Sequence, residues 1–428
     1  MPRFFALTGR AGFVLAVTIA YLVPAFAGEA LVSVRRGREA GRRLRYRSIA
    51  RLLAALGPTF VKAGQVLGTR RDLLAPALCD ELSMLQDAVP ALDERHTRLA
   101  LAQAYGSEHP PEFAEIDYTP VASGSVACVH RARLAGGGEV ALKLRRPGVE
   151  RAMRLDLDIM RAGAGLVARL PALRNVPVVE VVAHMCGAVL HQLDFAREAD
   201  NLVRLRQNLS DVPRVWVPKV YADASRPRCI VMEFIPDLDT TAAARCTAAA
   251  RRRFASSGLT AIYHMLFVDG FVHCDMHPGN LYFTERAQVV VLDAGFSVQL
   301  SEKLRRLFAE FFMNMSIGRG MHCAEIVVRS GTGLRPDADV PTFLTHMADL
   351  VERSHGLPAA EFSLMAFAAE MFDLQRRYGV HAAPELIFPL LSLLVIEGTV
   401  RDLDPAVDFQ EVAKPVLMKG LFGRSGVA

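Results

Sequence analysis

The chain has 428 residues, 51% of them hydrophobic, and a formal net charge of +5. It is long and apolar enough to bury a large core, and its near balance of charge excludes a global nucleic-acid role. Seven cysteines, with no C-x-x-C pair or metal-ligand spacing, read as free thiols in a reducing compartment.

The first expected element is apolar. Ala11 to Ala27 is an almost uncharged stretch of 17 residues, preceded by Arg3 and Arg10 and followed by arginines at 35, 36, 38, 42, 43, 45 and 47. Ala25-Phe26-Ala27 mimics a signal-peptidase site, but the motifs further along the chain call for the cytoplasm, so cleavage and export are not expected. The arginine excess would keep the following domain inside if the segment spans. The stretch is marginal for spanning and Pro24 interrupts it, so an interfacial anchor and a helix docked on the C-lobe stay as competitors. In the first two cases the basic run would meet anionic lipid headgroups.

Ala122-Ser123-Gly124-Ser125-Val126-Ala127-Cys128-Val129 has the layout of a phosphate loop, with Ala at the first and third glycine positions. Small residues let backbone amides approach phosphates, although such a stretch is more often an ordinary loop. After the Gly136-Gly137-Gly138 turn, Val140-Ala141-Leu142-Lys143 looks like a strand that delivers a lysine to the α- and β-phosphates. The stretch from Val178 to Leu205 is helix-permissive, and Glu198 within it is the expected partner of Lys143. Val231-Met232-Glu233-Phe234-Ile235 fits a strand running into a hinge. There the backbone groups of Glu233 and Ile235 would meet adenine, and Met232 would stand behind it.

The most informative stretch is His273-Cys274-Asp275-Met276-His277-Pro278-Gly279-Asn280, with Asp293-Ala294-Gly295 after it. Phosphoryl transfer needs hard-cation sites and a positioned hydroxyl rather than covalent chemistry. Asp275 is placed to accept the substrate proton, and Asn280 and Asp293 to hold Mg²⁺ through oxygen. Val289-Val290-Val291-Leu292 reads as a buried strand ending at the metal ligand, and Gly295 frees the turn that follows. Cys128 and Cys274 would lie near the nucleotide as small packing residues. Beyond Ser297 the pattern is helical, clearest in Leu304 to Phe312 and Phe362 to Tyr378. Leu386 to Ile396 is apolar but too short to cross a bilayer.

Together these motifs resemble the ABC1/UbiB/AarF family of atypical kinases. The most specific match is Leu56-Gly57-Pro58-Thr59-Phe60-Val61-Lys62-Ala63-Gly64-Gln65, continuing through Thr69 to Leu74 and Glu81 to Asp87. It resembles the Lys-x-Gly-Gln extension that ordinary kinases and aminoglycoside phosphotransferases lack. Val129-His130-Arg131-Ala132, Lys143-Leu144-Arg145-Arg146-Pro147-Gly148 and Leu394 to Pro405 add to it, so the similarity runs from about Ile49 to Pro405. The resemblance implies an α+β, protein-kinase-like two-lobed fold with a family-specific N-terminal helical extension and helical C-lobe additions. The expected boundaries are 1–47 for the membrane-associating segment, 48–115 for the extension, 116–235 for the N-lobe and 236–428 for the C-lobe.

By the same resemblance, Lys62 and Gln65 belong to a helix folded across the active site, where Lys62 would reach an acidic pair. Here the pair is Gln192 and Asp194, so one ion pair becomes a neutral hydrogen bond and the restraint is relaxed. Ser123-Gly124 stands where the family has two alanines, and Ala127-Cys128 where it has Gly-Gln. Ala294 replaces a Phe, which leaves the metal ligand intact and weakens the packing behind it. The family's ubiquinone branch often ends in membrane helices; none is expected here, which moves anchoring to the N-terminus.

The expected activity is that of a Mg²⁺- and ATP-dependent kinase-like ATPase or small-molecule kinase at the cytoplasmic face of a membrane, serving isoprenoid-lipid or quinone metabolism. ATP, anionic lipid and prenyl-lipid or quinone intermediates are the expected partners, and a homodimer is left open. A nucleotide-binding scaffold without turnover and a protein Ser/Thr kinase are the alternatives, with an antibiotic phosphotransferase a distant third.

Overall fold

A computed structural model describes residues 2–68, 75–85, 90–169, 178–236, 238, 245–274, 276, 281–284, 286, 288–357 and 361–423. The N-terminal part is helical: α1 (Pro2–Arg36), α2 (Arg38–Leu56), α3 (Pro58–Gly68), α4 (Pro76–Ser83) and α5 (Glu94–Tyr105). Strands β1 (Phe113–Ile116), β2 (Ala122–Ser123), β3 (Ala127–Leu134) and β4 (Glu139–Arg145) follow, then α6 (Val149–Val167), α7 (Val178–His191) and α8 (Phe195–Asn208). Next come β5 (Val215–Trp216) and β6 (Cys229–Glu233). After helix Ala248–Tyr263 come β7 (Phe271–His273), β8 (Leu281–Phe283), β9 (Val289–Val291) and β10 (Ser297–Gln299). The rest is largely helical.

The chain divides into two compact units, Met1–Arg197 with Tyr221–Glu233, and Glu198–Val220 with Phe234–Ala428. The division falls inside the segment read as a hinge, between Glu233 and Phe234.

In the first unit one antiparallel sheet runs β1-β3-β4-β6, with β2 on β3. Strand β4 is therefore interior, paired on both sides. Its Val140, Leu142 and Leu144 are fully buried in a cluster with Cys229, Val231 and Leu101 of α5, while Lys143 alternates to the other face. Tyr105 packs edge-on to Phe113 at 5.5 Å and donates to the Ala224 carbonyl at 2.7 Å, which closes the sheet onto α5.

Helix α1 is continuous through Pro24, so the expected interruption does not occur. Its Val14, Val17 and Leu22 pack on Leu52, Leu56 and Phe60 of α2 and α3, whereas Leu15, Ile19, Val23 and Phe26 are exposed. The packed face holds the helix straight where the missing proline N–H would otherwise weaken it. Within the first unit its docking partners are α2 and α6. Leu7–Arg36 is one helix long and apolar enough, by length and composition, to cross a membrane.

The helix-permissive stretch from Val178 to Leu205 holds two helices, α7 and most of α8. It breaks at 192–194 because Asp194 starts a new helix, its Oδ1 accepting the Arg197 N–H at 3.1 Å. In the second unit β9 pairs with β8 and, in parallel, with β5, while β7 pairs with β10. Buried Arg305 donates to the Gly420 carbonyl at 3.0 Å and to that of Phe267, joining the C-terminal helix Phe409–Phe422 to the π-helical turn His264–Asp269.

One polar clamp fixes α1. Arg10 donates from Nε to Asp156 at 2.7 Å and from Nη2 to the Leu56 carbonyl at 2.7 Å. Asp156 is only 4% exposed, so removing its partner strands a buried carboxylate. Arg10→Met should lower the unfolding free energy by on the order of 2 kcal/mol in urea titration, while Arg43→Met, which loses only an exposed pair with Glu39, should leave it unchanged.

Candidate active site

In the first unit, β2 and β3 form a short hairpin that presents residues 122–127. Ala122 pairs with Val129 and Ser123 with Cys128, and the Gly124 N–H bonds the Ala127 carbonyl at 2.9 Å. Ser125, Val126 and Ala127 are buried. Arg146, just past β4, fastens this loop: Nε donates to the Gly124 carbonyl and Nη2 to Ser123 Oγ, each at 2.7 Å. Gly124 does not occupy the left-handed backbone region, and an added Cβ would meet only the Ala127 carbonyl oxygen at 3.6 Å.

Lys143 stands on the interior strand opposite Val129 and Ile230, half-buried, with Nζ 5.7 Å from the centre of the Phe195 ring. Strand β4 has a neighbour on each side, so Lys143 is not on a sheet edge. Met232 and Ile235 are each 7% exposed, and Glu233 is half-buried at the end of β6. Cys128 is buried with its thiol 3.7 Å from Ser123 Oγ. Lys62 and Gln65 lie on α3, which packs against α7; Gln65 Nε2 donates to the Leu85 carbonyl at 2.8 Å. Gln192 is half-buried in the α7–α8 turn, and Asp194 is exposed and caps α8.

In the second unit, the chain turns sharply after β9. Asp293 adopts φ 57°, one of two non-glycine residues with positive φ among those described. A left-handed Asp is tolerated because its short side chain bonds locally, here Oδ1 accepting the Gly295 N–H at 3.1 Å. Glu198, 2% exposed, stands on the other side of Gly295: a Cβ there would lie 3.1 Å from Asp293 Oδ1 and 3.6 Å from Glu198 Oε2. The bare glycine lets both carboxylates close on one point. Asn201, one turn along α8 from Glu198, donates Nδ2 to the Ala294 carbonyl at 2.9 Å. That carbonyl also accepts from Ser297 Oγ at 3.2 Å.

The start of the central loop is bound to the same turn. His273 Nε2 lies 3.3 Å from the Leu292 carbonyl, the Cys274 N–H bonds the Phe296 carbonyl at 2.9 Å, and Ser392 Oγ donates to the His273 carbonyl at 2.8 Å. Half-buried Tyr282 has its phenol pushed above the usual range, first by burial and then by the negative charge of Asp293. Asp275 and Asn280, the expected base and second Mg²⁺ ligand, lie outside the described residues. Among the described residues no three His, Cys, Asp or Glu side chains form a metal cluster. Mg²⁺ on a nucleotide needs no such cluster, since one or two protein oxygens and phosphate oxygens suffice, and a half-exposed carboxylate held by a backbone N–H is a donor of that kind.

Of the expected residues, the structure brings Glu198 and Asp293 together in the second unit, and residues 122–127, Lys143, Met232 and Glu233 onto one sheet and its ends in the first. Sequence reasoning missed Asn201 and Arg146. Asn201 follows Glu198 at helical spacing and so shares its face, and Arg146 adjoins the lysine strand; both signals were present in the sequence.

An interior-strand lysine beside a small-residue hairpin, and a metal-type aspartate at a strand end, define a kinase-like protein. The comparisons agree and specify it. The sequence matches the ABC1 atypical kinase-like domain over residues 84–326 and the UbiB helical domain over 347–408. It is 35% identical over 369 residues to the probable protein kinase UbiB of Tolumonas auensis, covering 85% of this chain and 68% of that one. It is 33% identical over 404 residues to that of Aeromonas hydrophila, covering 92% and 73%. The fold is shared with Rv3197 of Mycobacterium tuberculosis, solved in complex with erythromycin, at a TM-score of 0.60 and 20% identity over 89% of this chain and 90% of that one. The chain belongs to the ABC1/UbiB family of atypical kinase-like proteins and has the α+β kinase-like fold expected from its motifs.

Two substitutions probe this geometry. Asn201→Ala removes one hydrogen bond from the Asp293 turn and should weaken Mg²⁺-dependent ATP binding by about 1 kcal/mol, roughly fivefold, in a nucleotide titration. Gly124→Ala fills open space on a backbone that alanine accepts, and should raise thermal stability by about 0.5 kcal/mol through the unfolded chain.

Proposed function

We propose that the protein is a Mg²⁺- and ATP-dependent kinase-like ATPase or small-molecule kinase, membrane-associated through α1, that supports isoprenoid-lipid or quinone metabolism. The observation that carries the reading is the Asp293 turn, held in a strained left-handed conformation by Gly295, Asn201 and Ser297 beside buried Glu198. Strain of this kind costs about 1–3 kcal/mol and persists where function needs a fixed group.

In this reading the 122–127 loop and Lys143 hold the phosphates, with Glu198 orienting the lysine. The backbone of Glu233 and Ile235 holds adenine against Met232. Asp293 and Asn280 would hold Mg²⁺, which when bound would supply charge neutralisation on the phosphate oxygens. Asp275 orients the attacking hydroxyl, of water or of a small acceptor, and takes its proton; the bond from the γ-phosphorus to the β–γ bridging oxygen breaks and ADP leaves. Lys62, Gln65, Gln192 and Asp194 form a restraint on access to the site. The family membership and the names of the relatives support kinase-type chemistry, and the exposed apolar face of α1 supports the membrane assignment. A protein kinase is the second reading, favoured by the relatives' names and opposed by the Lys62 to Gln65 element.

Phosphate release should be detectable for the wild type, should rise with anionic over neutral liposomes, and should fall by at least about 100-fold in Asp293→Asn. ATP binding with no hydrolysis that depends on Asp293 would favour the scaffold, and transfer of label from ATP to a protein would favour the protein kinase.

A further inference from the structure

A cavity of about 700 Å³ opens in the first unit between the end of β4 and the start of α6. Its walls carry Arg145, Arg146, Arg151, Arg154 and Arg228 against a single carboxylate, Glu150. Glu150 is already shared, bonded by Arg145 at 2.9 Å and by Arg154 at 3.1 Å. Arg228 turns to Gln103, a neutral acceptor, at 3.1 Å, and Arg151 has no partner among the described residues. Four net positive charges thus face one space. Burial works against the charge of Arg145, and after the favourable Glu150 the positive charges of Arg228 and Arg154 add to that opposition. The same wall contains the N-terminus of α6, a 19-residue helix whose cap, Gly148, has no side chain to offer its amides.

We propose that this cavity is a binding site for a phosphate-bearing anion, and that its occupancy stiffens the nucleotide loop through Arg146. Guanidinium groups bind phosphate in pairs of parallel N–H···O bonds, and a dianion or trianion here would relieve the mutual repulsion of the arginines. Arg146 is the link. Its Nε and Nη2 are spent on Gly124, Ser123 and the Pro90 carbonyl, while Nη1 has no acceptor among the described residues. An anion held by Nη1 leaves the loop bonds in place and locks the guanidinium that makes them. The site itself stands apart from the nucleotide reading; the coupling rests on it, and by linkage it acts equally in both directions.

The test uses the full chain, with Mg²⁺ in excess and a non-hydrolysable ATP analogue saturating the nucleotide site. Inorganic pyrophosphate should bind at one further site by calorimetry. Arg151→Gln/Arg154→Gln should weaken it about tenfold or more, and Arg151→Lys/Arg154→Lys, which keeps the charge but loses the paired bonds, should restore it only in part. Without pyrophosphate the Gln variant should bind the analogue like wild type; pyrophosphate should tighten the analogue roughly fivefold in wild type and not in the variant. A parallel arm compares flotation with phosphatidylcholine vesicles with and without phosphatidic acid. Arginine-dependent binding of pyrophosphate alone assigns a soluble phosphate, and arginine-dependent binding of phosphatidate vesicles alone assigns a lipid headgroup. If neither depends on Arg151 and Arg154, the site is overturned. If pyrophosphate binds and the analogue's affinity does not move, the coupling is overturned. A failure of the analogue to bind at all would instead strike the nucleotide reading, leaving anion binding measurable by itself.

Discussion

The hydrogen bond from Asn201 to the Ala294 carbonyl does more than its length suggests. It ties the first turns of α8 to the three residues after β9, and those residues include an aspartate in a backbone region that non-glycine residues rarely adopt. Each partner needs the other. The left-handed Asp293 aims the Ala294 carbonyl at α8, and α8 carries Glu198 to the glycine that Asp293 itself bonds. A Cβ at position 295 would press on Asp293 Oδ1 at 3.1 Å while meeting Glu198 Oε2 at an ordinary 3.6 Å, so the bare glycine chiefly leaves room for the aspartate. Two carboxylates held this close repel, and such a pair is stable where cations face it.

The N-terminal helix poses a different problem of partition. One face of α1, with Val14, Val17 and Leu22, has found protein, and the opposite face, with Leu15, Ile19, Val23 and Phe26, has not. Each exposed side chain of this kind left in water forgoes about 1.5–3 kcal/mol of transfer free energy. Arg10 meanwhile reaches back into the folded domain to neutralise Asp156. A helix fastened on one side and apolar on the other is suited to bringing a folded domain against a lipid surface, and the arginines that follow it suit the anionic headgroups there.

Much of this was legible in the sequence where a local rule decides the outcome. Val289 to Val291 is β-branched and could only be buried strand, and Lys143 inherits its face from the alternation around Leu142 and Leu144. The fold and the family followed from motifs of this kind. The failures came where tertiary contacts outvote local preference. Pro24 reads as a breaker, but packing of α1 on α2 carries the helix through it. Asn201 and Arg146 were visible as residues but not as roles, because their acceptors are backbone carbonyls, 93 and 22 positions away, that no pattern of side chains announces.

The alanine in Asp293-Ala294-Gly295 shows how such hidden contacts revise an expectation. Where a phenylalanine would anchor this turn by burying its ring, worth about 1.5–3 kcal/mol, Ala294 buries only a methyl group, and the sequence alone leads one to expect weaker packing behind Asp293. Yet Ala294 is fully buried, and its carbonyl takes two hydrogen bonds, from Asn201 and Ser297. At about 1 kcal/mol each, these recover most of what the ring would have supplied. They also act on the backbone itself, one peptide from Asp293, whereas a ring restrains the backbone only through its own rotamers. The turn is therefore held by directional polar contacts in place of apolar packing, and the position of the aspartate is set by the geometry of α8 rather than by the volume of a side chain.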